Sequence, residues 1–161
     1  MKFNTKAIHG GQKPEKVTGA LVTPIFQTST YAQSSFGADQ EYNYSRGANP
    51  TRAALEGSLA SIENGTHGFA FSSGLAAIDC VLRTLNSGDE IIAGNDLYGG
   101  TYRMFTRLFQ KYGLEFTYVD IDSGENISKE ITEKTKLVWL ETPTNPLMKI
   151  ADIEAICTAV K

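Results

Sequence analysis

The stretch His67–Leu85, HGFAFSSGLAAIDCVLRTL, decides how this chain folds. Phe69 and Phe71 alternate with small residues as in a buried strand. Ile78, Val81, Leu82 and Leu85 then recur at i, i+3, i+4 and i+7, the stripe of one helix face. The Ser72-Ser73-Gly74 turn between them opens directly into the helix. Backbone N–H groups at a helix start have no intrahelical partner and lie at the positive end of the helix dipole. A phosphate placed there gains hydrogen bonds and charge complementarity together. Gly74 lets the backbone come close to such a group. An ordinary strand-turn-helix corner, with Ser73 as its cap, fits the same residues.

Working outward, Asn49-Pro50 predicts a helix start upstream, because Asn is a good N-cap and Pro is preorganised for the first helical position. Leu55, Leu59 and Ile62 line one face of that helix, and Asn64-Gly65 supplies a left-handed stop. Downstream, a short strand is expected around Glu90 to Ala93, followed by the loop Gly94–Gly100, where two glycines after Tyr98 predict a close backbone approach. Phe105, Leu108, Phe109 and Tyr112 mark a further helical face closed by Gly113. A strand over Phe116–Val119 and a short helix around Ser128–Glu133 follow. The continuous apolar run Leu137-Val138-Trp139-Leu140 predicts a central strand covered on both faces. It ends in Glu141-Thr142-Pro143-Thr144-Asn145-Pro146, an irregular loop at the strand end where open parallel sheets hold ligands. A plain proline turn with a solvated Glu141 fits equally. Asp152 caps a last helix carrying Ile153, Ile156 and Val160. The alternation breaks off at Lys161, so the chain is read as part of a longer protein.

Strands alternating with helices define an α/β fold with a mostly parallel sheet. Residues 1–49, rich in Gly, Thr, Ser and Gln, read instead as an extended amino-terminal arm. Within it, Tyr44 and Arg46 project to one face if the backbone is extended, and a hydroxyl beside a guanidinium suits a phosphate. A solvated Arg beside a packing Tyr is the alternative.

Composition narrows the partners. The chain has 161 residues, 41% of them hydrophobic, enough for one sizeable core. Fifteen Lys and Arg against 18 Asp and Glu give a net charge of -3 with no long run of either sign, which favours neither nucleic acid nor an acidic membrane. No apolar signal core opens the chain and no stretch is long enough to span a bilayer, so a cytoplasmic location is expected. His9 and His67 have no ligand-type spacing, and no metal site is expected. Cys80 and Cys157 fall on or beside apolar stripes and are expected to be reduced, buried thiols. The organising turn has one Gly and lacks G-x-G-x-x-G, so dinucleotide binding is only weakly supported, and without a Gly-Lys-Ser/Thr ending a P-loop is unsupported.

Four ordered motifs, Tyr44–Thr51 (YSRGANPT), Ser72–Ile78 (SSGLAAI), Asp96–Thr101 (DLYGGT) and Glu141–Pro146 (ETPTNP), closely resemble the Cys/Met metabolism, or trans-sulfuration, family of pyridoxal-phosphate enzymes. The resemblance covers essentially the whole chain. It implies a fold-type-I large domain, here partial: residues 1–49 are the arm at the subunit interface, and residues 50–161 are the first part of the cofactor domain, cut before the Schiff-base lysine. It further implies that Ser73, Gly74 and Leu75 hold the cofactor phosphate and that Tyr98 stacks on the pyridine ring and assists proton transfer. Tyr44 and Arg46 would reach the phosphate of a neighbouring subunit in a homodimer or homotetramer, while Glu141 and Asn145 line the cofactor pocket. The implied activity is elimination or replacement at the γ-carbon of sulfur amino acids or homoserine esters. The Ala7–Gln12 opening and the Ala48–Arg52 motif look most like the cystathionine γ-synthase and γ-lyase branch. Sulfhydrylases, methionine γ-lyase and cystathionine β-lyase share the scheme. Because the lysine and the pyridinium-pairing aspartate lie beyond Lys161 in family chains, the 161 residues are expected to be inactive alone. A segment that only associates with full-length subunits, or a generic phosphate-binding module, are the rival expectations.

Overall fold

The computed structural model describes residues 1–121 and 124–160, in two compact units, Met1–Phe71 and Ser72–Lys161. Asp122, Ser123 and Lys161 lie outside the described residues, and with them part of the polar stretch after Asp120 and the residue at which the last helix is expected to stop.

The first unit departs from the extended arm at its beginning, where Phe3–His9 form a short helix, α1. No apolar stripe announces it, because a backbone contact holds it in place. After α1 the chain turns through Gly11 at φ +70°, and a Cβ there would overlap the backbone of Gly57. Only glycine permits that approach. Lys6 Nζ also donates to Asn64 Oδ1 at 2.5 Å. Gly57 belongs to α2 (Pro50–Ile62), whose start is the one expected: Asn49 Oδ1 accepts from the Thr51 N–H at 2.9 Å, and Pro50 is the first helical residue. The stop is also as expected, with Asn64 in the left-handed region at φ 54°.

Between the two helices the arm has one antiparallel bridge, Thr30 to Tyr44, and a polar knot centred on Asn49. Its Nδ2 lies 3.1 Å from Phe26 O, Tyr31 Oη and Ser45 Oγ. Thr51 Oγ1 accepts from Phe26 N at 2.9 Å, and the Arg52 guanidinium donates to Gly47 O at 2.6 Å. The strand expected at Phe69–Phe71 is not formed among the described residues. Both phenylalanines are exposed, at 74% and 44%. A strand needs a ladder partner, and none of the described strands pairs with this segment.

The second unit is a three-layer α/β arrangement. Its sheet has three parallel strands in the order β2-β1-β3, where β1 is Glu90–Gly94, β2 is Glu115–Val119 and β3 is Thr135–Trp139. β1 is buried along its whole length, so the central position belongs to this short strand. The apolar run Leu137–Leu140, expected at the centre, lies at an edge of the described sheet. Its expected coverage on both faces does hold.

Side chains alternate across the sheet as pleating requires. Ile91, Ala93, Phe116, Tyr118, Leu137 and Trp139 join a core with Leu82 of α3 (Gly74–Leu82) and Phe105 of α4 (Gly99–Arg107). On the opposite face Ile92, Val119, Val138 and Leu140 pack with Ile127 of α5 (Gly124–Glu130) and Ile156 of α6 (Ile153–Ala159). Phe109–Tyr112 form a 3-10 turn rather than a continuation of α4, ended by Gly113 at φ 86°. α5 starts earlier than its expected position. Asp152 caps α6 as expected, accepting from the Ala155 N–H at 2.9 Å.

Two cysteine expectations are corrected. Cys80 and Cys157 are free but exposed, each turned to the outer side of its helix. The stripes next to them, Leu82 and Ile156, are the buried residues.

Candidate functional site

Two loops leave the carboxyl end of the parallel sheet: β1 ends at Gly94 and leads to Tyr98, and β3 ends at Trp139 and leads to Glu141–Pro146. α3 packs on the same sheet through Leu82 and leads into β1.

The start of α3 has the features that an anion requires. Ser73 Oγ caps it, accepting from the Ala76 N–H at 3.2 Å, and no acidic residue sits in the first turn to satisfy the positive end of the dipole. Gly74 is exposed and a Cβ there would meet no atom within 4 Å, so the approach to the Gly74 and Leu75 backbone is open.

α4 begins differently. Its N-cap is Tyr98, whose side chain has no oxygen placed to accept the free N–H groups of the first turn. The acceptor comes from across the sheet. Glu141 Oε2 takes the Tyr98 N–H at 2.8 Å, and Oε1 takes the Thr101 hydroxyl at 2.8 Å and the Trp139 indole N–H at 3.4 Å. The carboxylate therefore also places negative charge at the positive end of α4. The expected close approach in this loop is seen at Gly100: a Cβ there would lie 3.0 Å from Tyr98 Cδ1 and Cζ, and nearer still to Cε1. The Tyr98 ring lies over glycine and keeps 47% of its surface exposed.

The two strand-end loops are joined a second time. Asp96, buried, accepts from the Leu147 N–H at 3.0 Å. Thr144, also buried, is bonded through both its N–H and its hydroxyl to Lys149, at 2.9 and 2.8 Å. Asn145, between them, is exposed, and the bonds Thr142-Pro143 and Asn145-Pro146 are cis.

Of the residues read from the sequence, Ser73, Gly74, Leu75, Tyr98, Glu141 and Asn145 lie in the second unit, and Tyr98 and Glu141 are hydrogen-bonded to each other. Tyr44 and Arg46 lie in the first. There the Arg46 guanidinium sits 4.9 Å above the Tyr44 ring, a cation–π pair, and both line a shallow cleft with Phe26–Ser29. The two side chains meet as expected, although the backbone at Ser45–Gly47 turns instead of running extended. Sequence reasoning missed Thr101, Asp96 and Thr144. The available signal was α4 itself: a helix opening Tyr-Gly-Gly-Thr has no cap of its own and must take an acceptor from elsewhere. Among the described residues no cluster of His, Cys, Asp and Glu could hold a metal ion, and no helix is long and apolar enough to cross a membrane.

The second unit is an α/β domain with an open helix start at Ser73–Leu75 and a half-exposed aromatic face at Tyr98. The family model for Cys/Met metabolism PLP-dependent enzymes matches residues 4–161, and the chain belongs to that family. A "Probable cystathionine gamma-synthase" of Herpetosiphon aurantiacus is 51% identical over 154 residues, which are 96% of this chain and 48% of that protein. A cystathionine β-lyase of Coxiella burnetii is 46% identical, over 99% of this chain and 41% of its own length. The crystal structure of a cystathionine γ-lyase of Lactobacillus plantarum in complex with L-serine superposes with a TM-score of 0.91 at 48% identity, covering 99% of this chain and 42% of that one. The chain thus spans less than half the length of each of these relatives.

Proposed function

We propose that this chain is the amino-terminal arm and first part of the cofactor domain of a pyridoxal-phosphate enzyme that eliminates or replaces the γ-substituent of a sulfur amino acid or homoserine ester, of the cystathionine γ-synthase or γ-lyase type. The observation that carries the reading is Tyr98, an aromatic face left half open at the carboxyl end of the sheet while its backbone is anchored by Glu141. The residues fit the group. Gly74 and Leu75 offer their N–H groups to the phosphate, with Ser73 beside them. Tyr98 offers a ring on which the cofactor would stack and a phenol that would hold or pass a proton of the substrate's amino group. Asn145 lines the pocket rim. When bound, pyridoxal phosphate supplies the electron sink for charge left at the substrate α-carbon.

Tyr44 and Arg46 serve the phosphate of a neighbouring subunit, which makes residues 1–49 an interface arm and the assembly a homodimer or homotetramer. The arm's exposed Val17, Leu21, Val22 and Ile25 support an assembly in which they are covered. The remaining length, from residue 50 onward, is the first part of the cofactor domain. A cytoplasmic setting accords with two free thiols. The 161 residues alone are inactive in this reading, because the cofactor-linking lysine belongs to a later part of family chains.

The test is purification of the full-length chain carrying this segment with pyridoxal phosphate, followed by assay with cystathionine and with a homoserine ester plus cysteine. A visible cofactor band and γ-cleavage or γ-replacement are expected. Cleavage at the β-carbon alone would move the reading to the β-lyase branch. Pyridoxal phosphate bound no more tightly than inorganic phosphate would overturn it in favour of a generic phosphate module.

A further inference from the structure

We infer that Glu141 and Gly100 are positioning residues that together set the orientation of the Tyr98 ring, Glu141 by anchoring its backbone and Gly100 by leaving the surface on which the ring lies. The inference deepens the reading above and rests on it for the role of the ring.

The Glu141 carboxylate is occupied by its own chain. Three donors converge on its two oxygens: the Tyr98 N–H and the Thr101 hydroxyl at 2.8 Å, and the Trp139 indole at 3.4 Å. An ionised carboxylate is acceptor-only, so each of these bonds is charge-assisted. A group used in this way acts on a ligand through what it holds, and it holds the N-cap residue and the third helical position of α4. The backbone of Tyr98 is thereby fixed relative to β3, the strand that carries Glu141 at its end.

Fixing the backbone leaves two side-chain torsions free, and Gly100 restricts them. Its backbone is ordinary helix, without positive φ, so conformation does not demand glycine here. Space does: any Cβ would enter the Tyr98 ring. The ring rests on the bare Cα of Gly100 and turns its other side outward. Asp96, through Leu147 N, ties the same loop to the segment bearing Asn145, so Tyr98 and Asn145 share one rigid frame.

Two readouts test this in the full-length protein. In the cofactor-free form, Glu141→Ala should speed amide hydrogen exchange over residues 97–102 by about tenfold, the loss expected for a hydrogen bond to a charged acceptor, while Ile91–Ala93 keep their protection. Glu141→Gln should restore most of it, since its amide oxygen accepts from Tyr98 N while its NH₂ donates to Thr101 Oγ1. With pyridoxal phosphate bound, Gly100→Ala should leave exchange near native. It should change the visible circular dichroism of the cofactor and weaken its binding about tenfold, because the ring is displaced. Native exchange over 97–102 in Glu141→Ala would overturn the anchoring, as would equal acceleration at Ile91–Ala93, which would mean a general fold role. Native dichroism and affinity in Gly100→Ala would overturn the seat. If Glu141→Ala does not fold, Thr101→Val, which removes one donor to the same carboxylate, is read by the same criterion. A wild-type protein that holds no pyridoxal phosphate defeats the functional reading, and the exchange experiment still decides the anchoring.

Discussion

The two units are held together by different physics. Every buried apolar side chain among the described residues lies in the second unit, from Leu82 to Ile156, whereas Val17, Leu21, Val22, Ile25 and Phe36 of the first are exposed. The first unit is organised by polar and backbone contacts: the Asn49 knot, the Arg52 bonds and the approach of Gly11 to Gly57. Burial of apolar surface contributes roughly 25 cal/mol per Å², and a buried hydrogen bond contributes about 1 kcal/mol net. A region that relies on the second kind of contact keeps its shape only if nearly every partner is present. The difference teaches that the second unit carries its own core, while the first has apolar surface still to be covered.

The comparison can be tested where it should be strongest. Phe105 is fully buried, stacked on Phe116 at 4.6 Å and edge-on to Trp139 at 5.8 Å. Phe105→Ala is expected to cost about 3–5 kcal/mol in denaturant unfolding. A loss under 1 kcal/mol would mean that the second unit does not depend on this core. Asn49→Ala should cost about 1–2 kcal/mol, above an ordinary cap, and should expose residues 24–31 to proteolysis ahead of the second unit. Simultaneous cleavage in both would break the distinction.

One of the polar groups buried in the second unit is Glu90, at the start of β1. Its carboxylate accepts from the hydroxyls of Thr135 at 2.7 Å and of Thr132 and Thr117 at 2.8 Å. Those bonds, Thr135 and Thr132 foremost, hold its carboxyl below the usual range against the opposing effect of burial. A depressed folded-state pKa stabilises above the unfolded value of about 4.3, and that contribution disappears as pH falls through the folded value. Stability measured from pH 6 downward should therefore fall below about 4.3, and Glu90→Gln should flatten that fall while lowering stability at neutral pH. An unchanged acid limb would assign the fall to other carboxylates.

The smallest effect is expected at Tyr118. Its hydroxyl is buried with no hydrogen-bond partner among the described residues, and burial pushes the phenol up to about 12. Removing an unpaired buried hydroxyl costs little, so Tyr118→Phe should shift stability by less than about 0.5 kcal/mol, if anything upward. A loss above 1 kcal/mol in the full-length protein would reveal a partner supplied from elsewhere.

Much of the local structure was legible because it depends on neighbouring residues. Ser73 as a cap, Asn49-Pro50 as a helix start, Asn64 as a left-handed stop and the close approach after Tyr98 each depend on a few neighbouring residues, and the structure shows all four. Glu141 was legible only as a pocket residue. Its bonds to Tyr98 and Thr101 span 43 and 40 positions, a distance at which spacing carries no information. The exposed cysteines failed for a related reason, since a stripe gives the direction of a helix face and not its edges.

Local order therefore came from residue type and periodicity: the helix caps, the α/β alternation and the motifs that placed the chain in its family. Long-range contacts settled the rest. Which strand is central depends on pairing between segments, so in the described sheet β1, and not the run Leu137–Leu140, holds that position. Phe69 and Phe71, strand-like in pattern, are exposed, and no described strand pairs with them. The α1 helix formed where a glycine approach, invisible to any hydrophobic pattern, held it. Periodicity records which side of a segment is apolar, and only the packed chain determines what lies against that side.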